Sequence, residues 1–403
     1  MTTSKTLRIV HCVRAPSGGT FRHIQDLALA QQAGGHDVGL ICDATPYGAL
    51  EEAAINDLGG RLSLGLRRVP MERKISFSDL GATLDVLAHL RSVAVDVLHG
   101  HGAKGGAYAR TIGTLLRLSG RSTIRIYCPH GGSLHYDPAS REGRVYFRLE
   151  RFLQRMTDGF VFVSGYEEDT FRAKVGDPTR PYRRVYNGLR PAEFEPIEPT
   201  PDMADVFYMG MMRDLKGPGV LIEALDILAS RHGLAPSVRM VGEGPDRPAY
   251  EARVKDLGLD ARVSFHDAMP TRRALSQGRI LIVPSYAESM PYVVLEAIAA
   301  RVPMIATRVG GIPEIFRERS GRLVTPGDPD GLADAIAWTI RNEAEARADA
   351  LVFGRELAGT FSVERMATEI EAFYGDIADP PKKTAPEKSV LDPSGRLAPT
   401  RRI

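Results

Sequence analysis

Glu288 and Glu296 stand in YAESMPYVVLEAIAA with seven residues between them. The pattern predicts one carboxylate at the mouth of a helix and another about two turns inward on an otherwise apolar face. That is a poor design for stability, because ionised side chains are rarely buried without a partner. It suits hydroxyl recognition, since an ionised carboxylate accepts hydrogen bonds from a sugar or ribose diol while the helix N-terminus stabilises phosphate between them. Ser289 is the expected N-cap, and Pro291 falls in the first helical turn, where its missing N–H costs nothing.

A cationic feature precedes this one in the chain. In GMMRDLKGPGVLIEAL, Arg213 and Lys216 share a glycine-flanked loop between a strand and a helix. Arg can bind a diphosphate bidentately while Lys adds a point charge, although a solvated basic loop would read the same. Gly242 and Gly244, in GEGPD, make a turn whose bare backbone a flat base can approach. Ser17, Gly18 and Gly19 follow the first strand and precede a helix starting near Thr20, so their N–H groups can face a phosphate; a plain tight turn fits equally, and the spaced three-glycine dinucleotide fingerprint is missing.

His130 ends IYCPHGG at a strand's mouth, between Pro129 and two glycines, which favours a functional histidine. His99 and His101 flank Gly100, and strand alternation turns both to one side. No third ligand sits at a recognisable spacing, so no metal is expected. Ser164, ending FVFVS ahead of Gly165 and Glu167, is read as a ligand contact or a helix N-cap.

All of these residues follow strand-like runs. LRIVHCV from Leu7, DVGLIC from Asp37, DVLHGHG from Asp96, TIRIYCPHGG from Thr123 and GFVFVS from Gly159 alternate with helical stretches, as in βαβ units. FRHIQDLALAQQAGG reads as an amphipathic helix stopped by Gly34 and Gly35. A second series begins at DVFYMG (Asp205) and continues through SVRMVGEG, RVSFHD, RILIVPSY, PMIATRVGG and GRLVTP (Gly321). Between the series, PAEFEPIEPTPD over Pro191–Asp202 can continue neither a helix nor a central strand, which marks a linker. The expected division is 1–195, 203–360, a helix over 361–378 that packs back on the first domain, and a disordered tail over 379–403 too poor in large apolar residues to order itself.

With 43% hydrophobic and 25% charged residues over 403 positions, the composition excludes fibrous and largely disordered classes. Cys12, Cys42 and Cys128 end apolar runs and suit buried thiols in a reducing compartment rather than a disulfide frame. The chain shows no signal-peptide pattern and no apolar run of about 18 residues, so a cytoplasmic protein is expected. The formal charge of +2 divides into +6 for residues 1–195 and −4 for the remainder. LGLRRVPMERKISF, Leu64–Phe77, interleaves Arg67, Arg68, Arg73 and Lys74 with apolar residues and reads as a loop able to dock on an anionic membrane surface, or as a solvated loop. Nucleic acid is not an expected partner.

Together these motifs resemble the retaining GT-B glycosyltransferases of family 4. The resemblance runs up to the C-terminal helix, through the SGGT loop, CPHGG, VSGYEE, YNGL, MGMMRDLKGPGVLIEAL, VGEGPD, the two glutamates and RVGGIPEI. It implies an α/β protein of two tandem Rossmann-like doubly wound domains facing across a cleft. The implied activity is retaining transfer of a hexose from a UDP- or GDP-linked donor to an acceptor hydroxyl, with no cofactor and no metal. His130 matches the family histidine near the sugar and acceptor, Arg213 and Lys216 the diphosphate pair, Glu288 the carboxylate near the donor sugar and Glu296 the ribose contact. Gly18, Gly19, Gly242, Gly244, Ser289, Met290 and Pro291 fall to the donor, His101 and Ser164 to the acceptor, and Asn187 in YNGL to a frequent position of less defined role. Ser289-Met290-Pro291 replaces the Gly-Phe-Gly of many relatives, which leaves the sugar open. HGHGAKGGAYAR with PHGGSLHY is similar to enzymes building exopolysaccharide or O-antigen units on lipid carriers, which implies a lipid-linked saccharide acceptor.

The implied chemistry is front-face substitution through an oxocarbenium-like transition state, with Arg213, Lys216 and the helix dipole near Ser289 stabilising the leaving diphosphate. A nucleotide-sugar epimerase of the same fold and a noncatalytic nucleotide-sugar-binding protein are the competing readings.

Overall fold

The computed structural model describes residues 6–72, 78–198 and 200–380. The expected tail over 379–403 lies, from residue 381 onward, outside the described residues. The first half contains β1 (Arg8–Val13), α1 (Gly18–Ala33), β2 (Asp37–Asp43), α2 (Ala49–Arg61), β3 (Gly65–Val69), α3 (Ser78–Val93), β4 (Val97–His101), α4 (Gly102–Leu118), β5 (Ile124–Cys128), α5 (Arg141–Leu153), β6 (Gly159–Phe162), α6 (Gly165–Lys174) and β7 (Tyr182–Arg184). Its strands pair in parallel in the order β3-β2-β1-β4-β5-β6-β7.

The second half contains β8 (Ala204–Met209), α7 (Pro218–His232), β9 (Val238–Val241), α8 (Arg247–Asp256), β10 (Val263–His266), α9 (Thr271–Leu275), β11 (Gly278–Val283), α10 (Tyr292–Ala299), β12 (Met304–Ala306), α11 (Ile312–Phe316), α12 (Pro329–Arg341), α13 (Glu343–Leu357) and α14 (Val363–Ala378). Its parallel sheet runs β10-β9-β8-β11-β12. Strand order reverses between β1 and β4 and again between β8 and β11. The crevices at those switch points receive the loops that carry the candidate residues.

Local chemistry sets the limits of these elements. Pro218 starts α7, and Gly233, at φ +64°, ends it in the left-handed conformation that glycine adopts without strain. Asp328 caps α12 by accepting the Gly331 N–H at 2.9 Å. The sheets are covered on both faces, so strands such as β1, β2 and β11 are nearly wholly buried, while the edge strands β3, β7 and β10 are partly open. One apolar cluster runs through both halves, from Ile9, Val161 and Leu189 to Met290, Val294, Ile312 and Phe361. After α13 the chain returns to the first sheet, where Phe361 and Val363 exchange backbone hydrogen bonds with Leu189 and Tyr374 of α14 reaches His99. All three cysteines are buried and free.

Three expectations of local structure are corrected. GRLVTP is not a strand: a single bridge joins Val324 to Thr307, because a 3-10 turn over Arg317–Arg322 occupies the preceding residues. Part of the basic loop is instead β3, an edge strand in which Arg67 pairs with Asp85 and Arg68 with Glu52; Arg73 and Lys74 lie outside the described residues. Ser289 is not the cap of α10, since Pro291 holds the N-cap position and the helix starts at Tyr292.

Candidate active site

On the second domain, the loop after β8 carries Arg213 and then a short 3-10 turn, Asp214–Lys216. Gly217 follows at φ +68°, and a side chain there would collide with the Pro284 carbonyl, so only glycine lets this loop lie on the end of β11. The packing delivers Lys216 Nζ to 2.6 Å from Glu288 Oε1, which also accepts from Ser285 Oγ at 2.8 Å. Arg213 is exposed and its guanidinium has no ion-pair partner among the described residues. Gly242 and Gly244 lie against the Gly210 and Met212 carbonyls, where any side chain would clash. Their backbone therefore forms the floor beside this loop.

On the first domain, β5 ends in Cys128 and the chain turns sharply. His130 takes φ +49° and Gly131 φ +75°, a conformation costly for the histidine and persisting only because its surroundings impose it. Glu167 supplies much of that restraint, accepting the Gly131 N–H at 2.5 Å and the Val163 N–H at 2.9 Å. Burial pushes its carboxyl up to about 7, against the lowering effect of the two N–H groups. A Cβ on Gly131 would stand 2.8 Å from Ser289 Oγ, so the His130 turn and the turn after Glu288 meet across the cleft. His135 joins them from the following 3-10 turn, where burial and the charges of Lys174, Lys216 and Arg213 lower its pKa.

Behind His130 lies a cluster of imidazoles. His101 Nδ1 is 3.0 Å from His130 Nε2, and His101 Nε2 is 3.0 Å from His11 Nδ1. His11 Nε2 meets Gln31 Oε1 at 2.9 Å, and His99 Nδ1 meets the Tyr374 hydroxyl at 2.7 Å. The His23 ring lies edge-on to His130, with centroids 4.7 Å apart. Burial lowers all of these pKa values, those of His11 and His23 to about 4, so the rings are neutral at pH 7. The expectation that His99 and His101 lack a third partner is corrected: His11 pairs with His99 across β1 and β4, although it lies 90 residues from His101. His11, His99 and His101 bring ring nitrogens within 4.8 Å of one another, as do His23, His101 and His130.

The other proposed contacts separate. His101 is 1% exposed and touches His130 rather than the cleft. Ser164 is fully buried and caps α6, accepting the Glu167 N–H at 3.0 Å. Glu296 faces Arg22 of α1 at 3.4 Å, and Arg22 also grips Asp26 and Glu193, so this carboxylate sits in the seam between domains. Burial raises it to about 7 despite Arg22. Gly18, at φ +60°, opens α1 with clear space above it, and Gly19 approaches the Tyr292 ring. Asn187 joins the halves, its Nδ2 donating to the Met290 carbonyl at 2.8 Å and its Oδ1 lying 3.0 Å from His23 Nδ1.

Sequence reasoning missed Arg22, His11 and His23. His11 left a trace, as a polar residue in the middle of the apolar run IVHCV. Arg22 left none: Asp26 stands one turn on in the same helix, but Glu193 and Glu296 belong to distant segments.

Two facing Rossmann-like domains with candidate residues at the carboxyl ends of their strands define a GT-B protein. The family described as "Glycosyl transferase 4-like domain" matches residues 18–188, and "Glycosyl transferases group 1" matches residues 204–342. The chain belongs to this glycosyltransferase family. EpsD of Bacillus subtilis (strain 168) is 27% identical over 348 residues, 82% of this chain and 87% of EpsD. The D-inositol 3-phosphate glycosyltransferase of Corynebacterium glutamicum (strain R) is 33% identical over 180 residues, 42% of this chain. Those residues span 43% of that relative, less than half its length. Anabaena Alr3699/HepE in complex with UDP-glucose shares the fold at TM-score 0.76 and 16% identity, covering 92% of this chain and 100% of that one. Sucrose-phosphate synthase from Thermosynechococcus elongatus does so at 0.72 and 19%, covering 93% and 99%.

Proposed function

We propose that this protein is a retaining glycosyltransferase that moves a hexose from a UDP- or GDP-linked donor to the hydroxyl of a lipid-linked saccharide in cell-surface polysaccharide synthesis. The observation that carries the reading is the approach of the His130 turn to the Lys216–Glu288 pair across one cleft. The second domain holds the nucleotide over Gly242 and Gly244, with Arg213 and Lys216 on the diphosphate. Glu288, oriented by Ser285 and Lys216, accepts from the donor sugar hydroxyls. His130 orients the sugar or the incoming hydroxyl from the first domain. Charge placed near the leaving diphosphate before reaction is the largest catalytic contribution expected, because it needs no reorganisation as the bond breaks. Glu296 reaches a ribose once Arg22 yields it.

HepE in complex with UDP-glucose supports a nucleotide-sugar donor, and the C. glutamicum relative's name supports glycosyl transfer. No helix among the described residues is long and apolar enough to cross a membrane, so a lipid-linked acceptor calls for a docking face. Helix α5 and the 3-10 turn after it supply it: Arg141, Arg144 and Arg148 of α5 are exposed together with Val145, 56% exposed, and Phe152, 48% exposed, and Arg155 is exposed in the turn Gln154–Met156. None of these arginines has an ion-pair partner among the described residues, which suits an anionic bilayer on the cytoplasmic side.

Mass spectrometry and ¹H NMR of products from UDP- and GDP-sugars with a polyprenyl diphosphate saccharide test the reading, the first for transfer and the second for configuration. Acceptor-dependent sugar transfer with a retained anomeric configuration, insensitive to EDTA, is expected. Conversion of donor without acceptor, or binding without turnover, would reject it.

A further inference from the structure

Gln31, His11, His101 and His130 form one unbroken line of side-chain hydrogen bonds, 2.9, 3.0 and 3.0 Å long, from the core beneath α14 to the cleft. We propose that Gln31, His11 and His101 are positioning residues that hold His130 in the Nε2–H tautomer and so present its Nδ1 as a hydrogen-bond acceptor to a substrate hydroxyl. This rests on the reading of His130 as a residue facing the sugar or acceptor.

A neutral imidazole has one N–H and one bare nitrogen, so a line of such rings runs in a single direction set by whatever stands at its end. Here the end is Gln31 Oε1, which can only accept. The Gln31 amide is turned this way because its Nε2 donates to the Tyr374 hydroxyl at 3.4 Å, and that hydroxyl can pass its own hydrogen to His99 Nδ1. His11 must then carry its proton on Nε2 and accept at Nδ1. His101 donates from Nε2 and accepts at Nδ1, and His130 donates from Nε2. Reversing any one link would set two donors or two bare nitrogens face to face.

His11, His101 and Gln31 are at most 1% exposed, so water cannot substitute for a missing link. The inner end is an amide rather than a carboxylate. It fixes orientation without making His130 more basic or receiving a proton. His130 therefore orients a hydroxyl, and the hydroxyl's proton leaves by another route.

The test is ¹⁵N NMR of ring-labelled histidine in the full chain, which distinguishes the two tautomers without requiring turnover. His11, His101 and His130 should each be protonated on Nε2. Gln31→Leu should convert His130 to a mixture of tautomers and lower kcat by about ten-fold or more, with KM for the donor little changed, because misorientation of a reacting group is felt in the rate. A wild-type His130 protonated on Nδ1 overturns the proposal, whether or not the variant folds. So does stoichiometric transition metal in the purified protein, since His11, His99 and His101 would then be ligands instead of links. The expected tautomers in a protein without transferase activity would leave the chain standing and reject only the role given to His130.

Discussion

Glu314, on the second domain, accepts the Gly165 N–H at 2.8 Å, and its other oxygen accepts the Tyr166 N–H at 2.8 Å. A carboxylate of one domain thus caps helix α6 of the other, beside the serine cap that α6 already has. Glu314→Ala leaves both donors without this acceptor, and losing a cap costs about 1 kcal/mol. Denaturant unfolding should show a loss of that size; a variant as stable as the parent would mean that the cap does not help hold the domains together.

Arg213→Ala and Lys216→Ala are expected to lower the transfer rate by about a hundred-fold or more, the usual consequence of removing a fixed charge from the leaving group's side. The two should differ in stability. Arg213 is exposed and has no ion-pair partner among the described residues, so its loss is silent, whereas loss of Lys216 leaves the buried Glu288 with Ser285 as its remaining side-chain partner among the described residues. Near-normal turnover in both variants would remove the diphosphate site from this loop.

The histidine cluster sets a pH dependence whose sign follows from burial. His11, His23, His99, His101 and His130 have pKa values below 6.5 in the folded protein, so between about 4 and 6.5 they stay neutral when folded and take up protons on unfolding. Glu167 and Glu296, raised to about 7, act in the opposite direction but are outnumbered. Unfolding near pH 5 therefore takes up net protons, so stability falls as the pH is lowered below about 6.5 and levels off near neutrality. Unfolding free energies measured from pH 5 to pH 8 check this. A stability unchanged down to pH 5 would mean that the imidazoles are not buried as neutral rings.

Reversing Arg144, Arg148 and Arg155 to Glu should weaken cosedimentation with anionic vesicles by on the order of a hundred-fold, at about 1 kcal/mol for each cation near the surface. Phe152→Ser should weaken it less, and neutral vesicles should hold neither protein well. Equal binding to neutral and anionic vesicles would dismiss α5 as the docking face. Arg67 and Arg68, already paired with Asp85 and Glu52, are expected to contribute little.

The alternation of strand-like and helical runs, the proline-rich join at Pro191–Asp202 and the loops holding Arg213, Lys216, Glu288 and His130 were all legible in the chain itself. Short-range chemistry writes these features, since strand alternation, glycine turns and helix stops each depend on a few neighbouring residues. The same rules misplaced the start of α10 and made GRLVTP a strand, because an N-cap or a strand pairing is settled by what packs alongside. Tertiary structure alone decided which side chains met. Lys216 reached Glu288, Arg22 took Glu296, and His11 came beside His99 through strand register. Those encounters join segments separated by 72 to 274 positions. No local pattern can encode such a distance, because it is packing of two sheets and burial of their shared apolar surface that closes it.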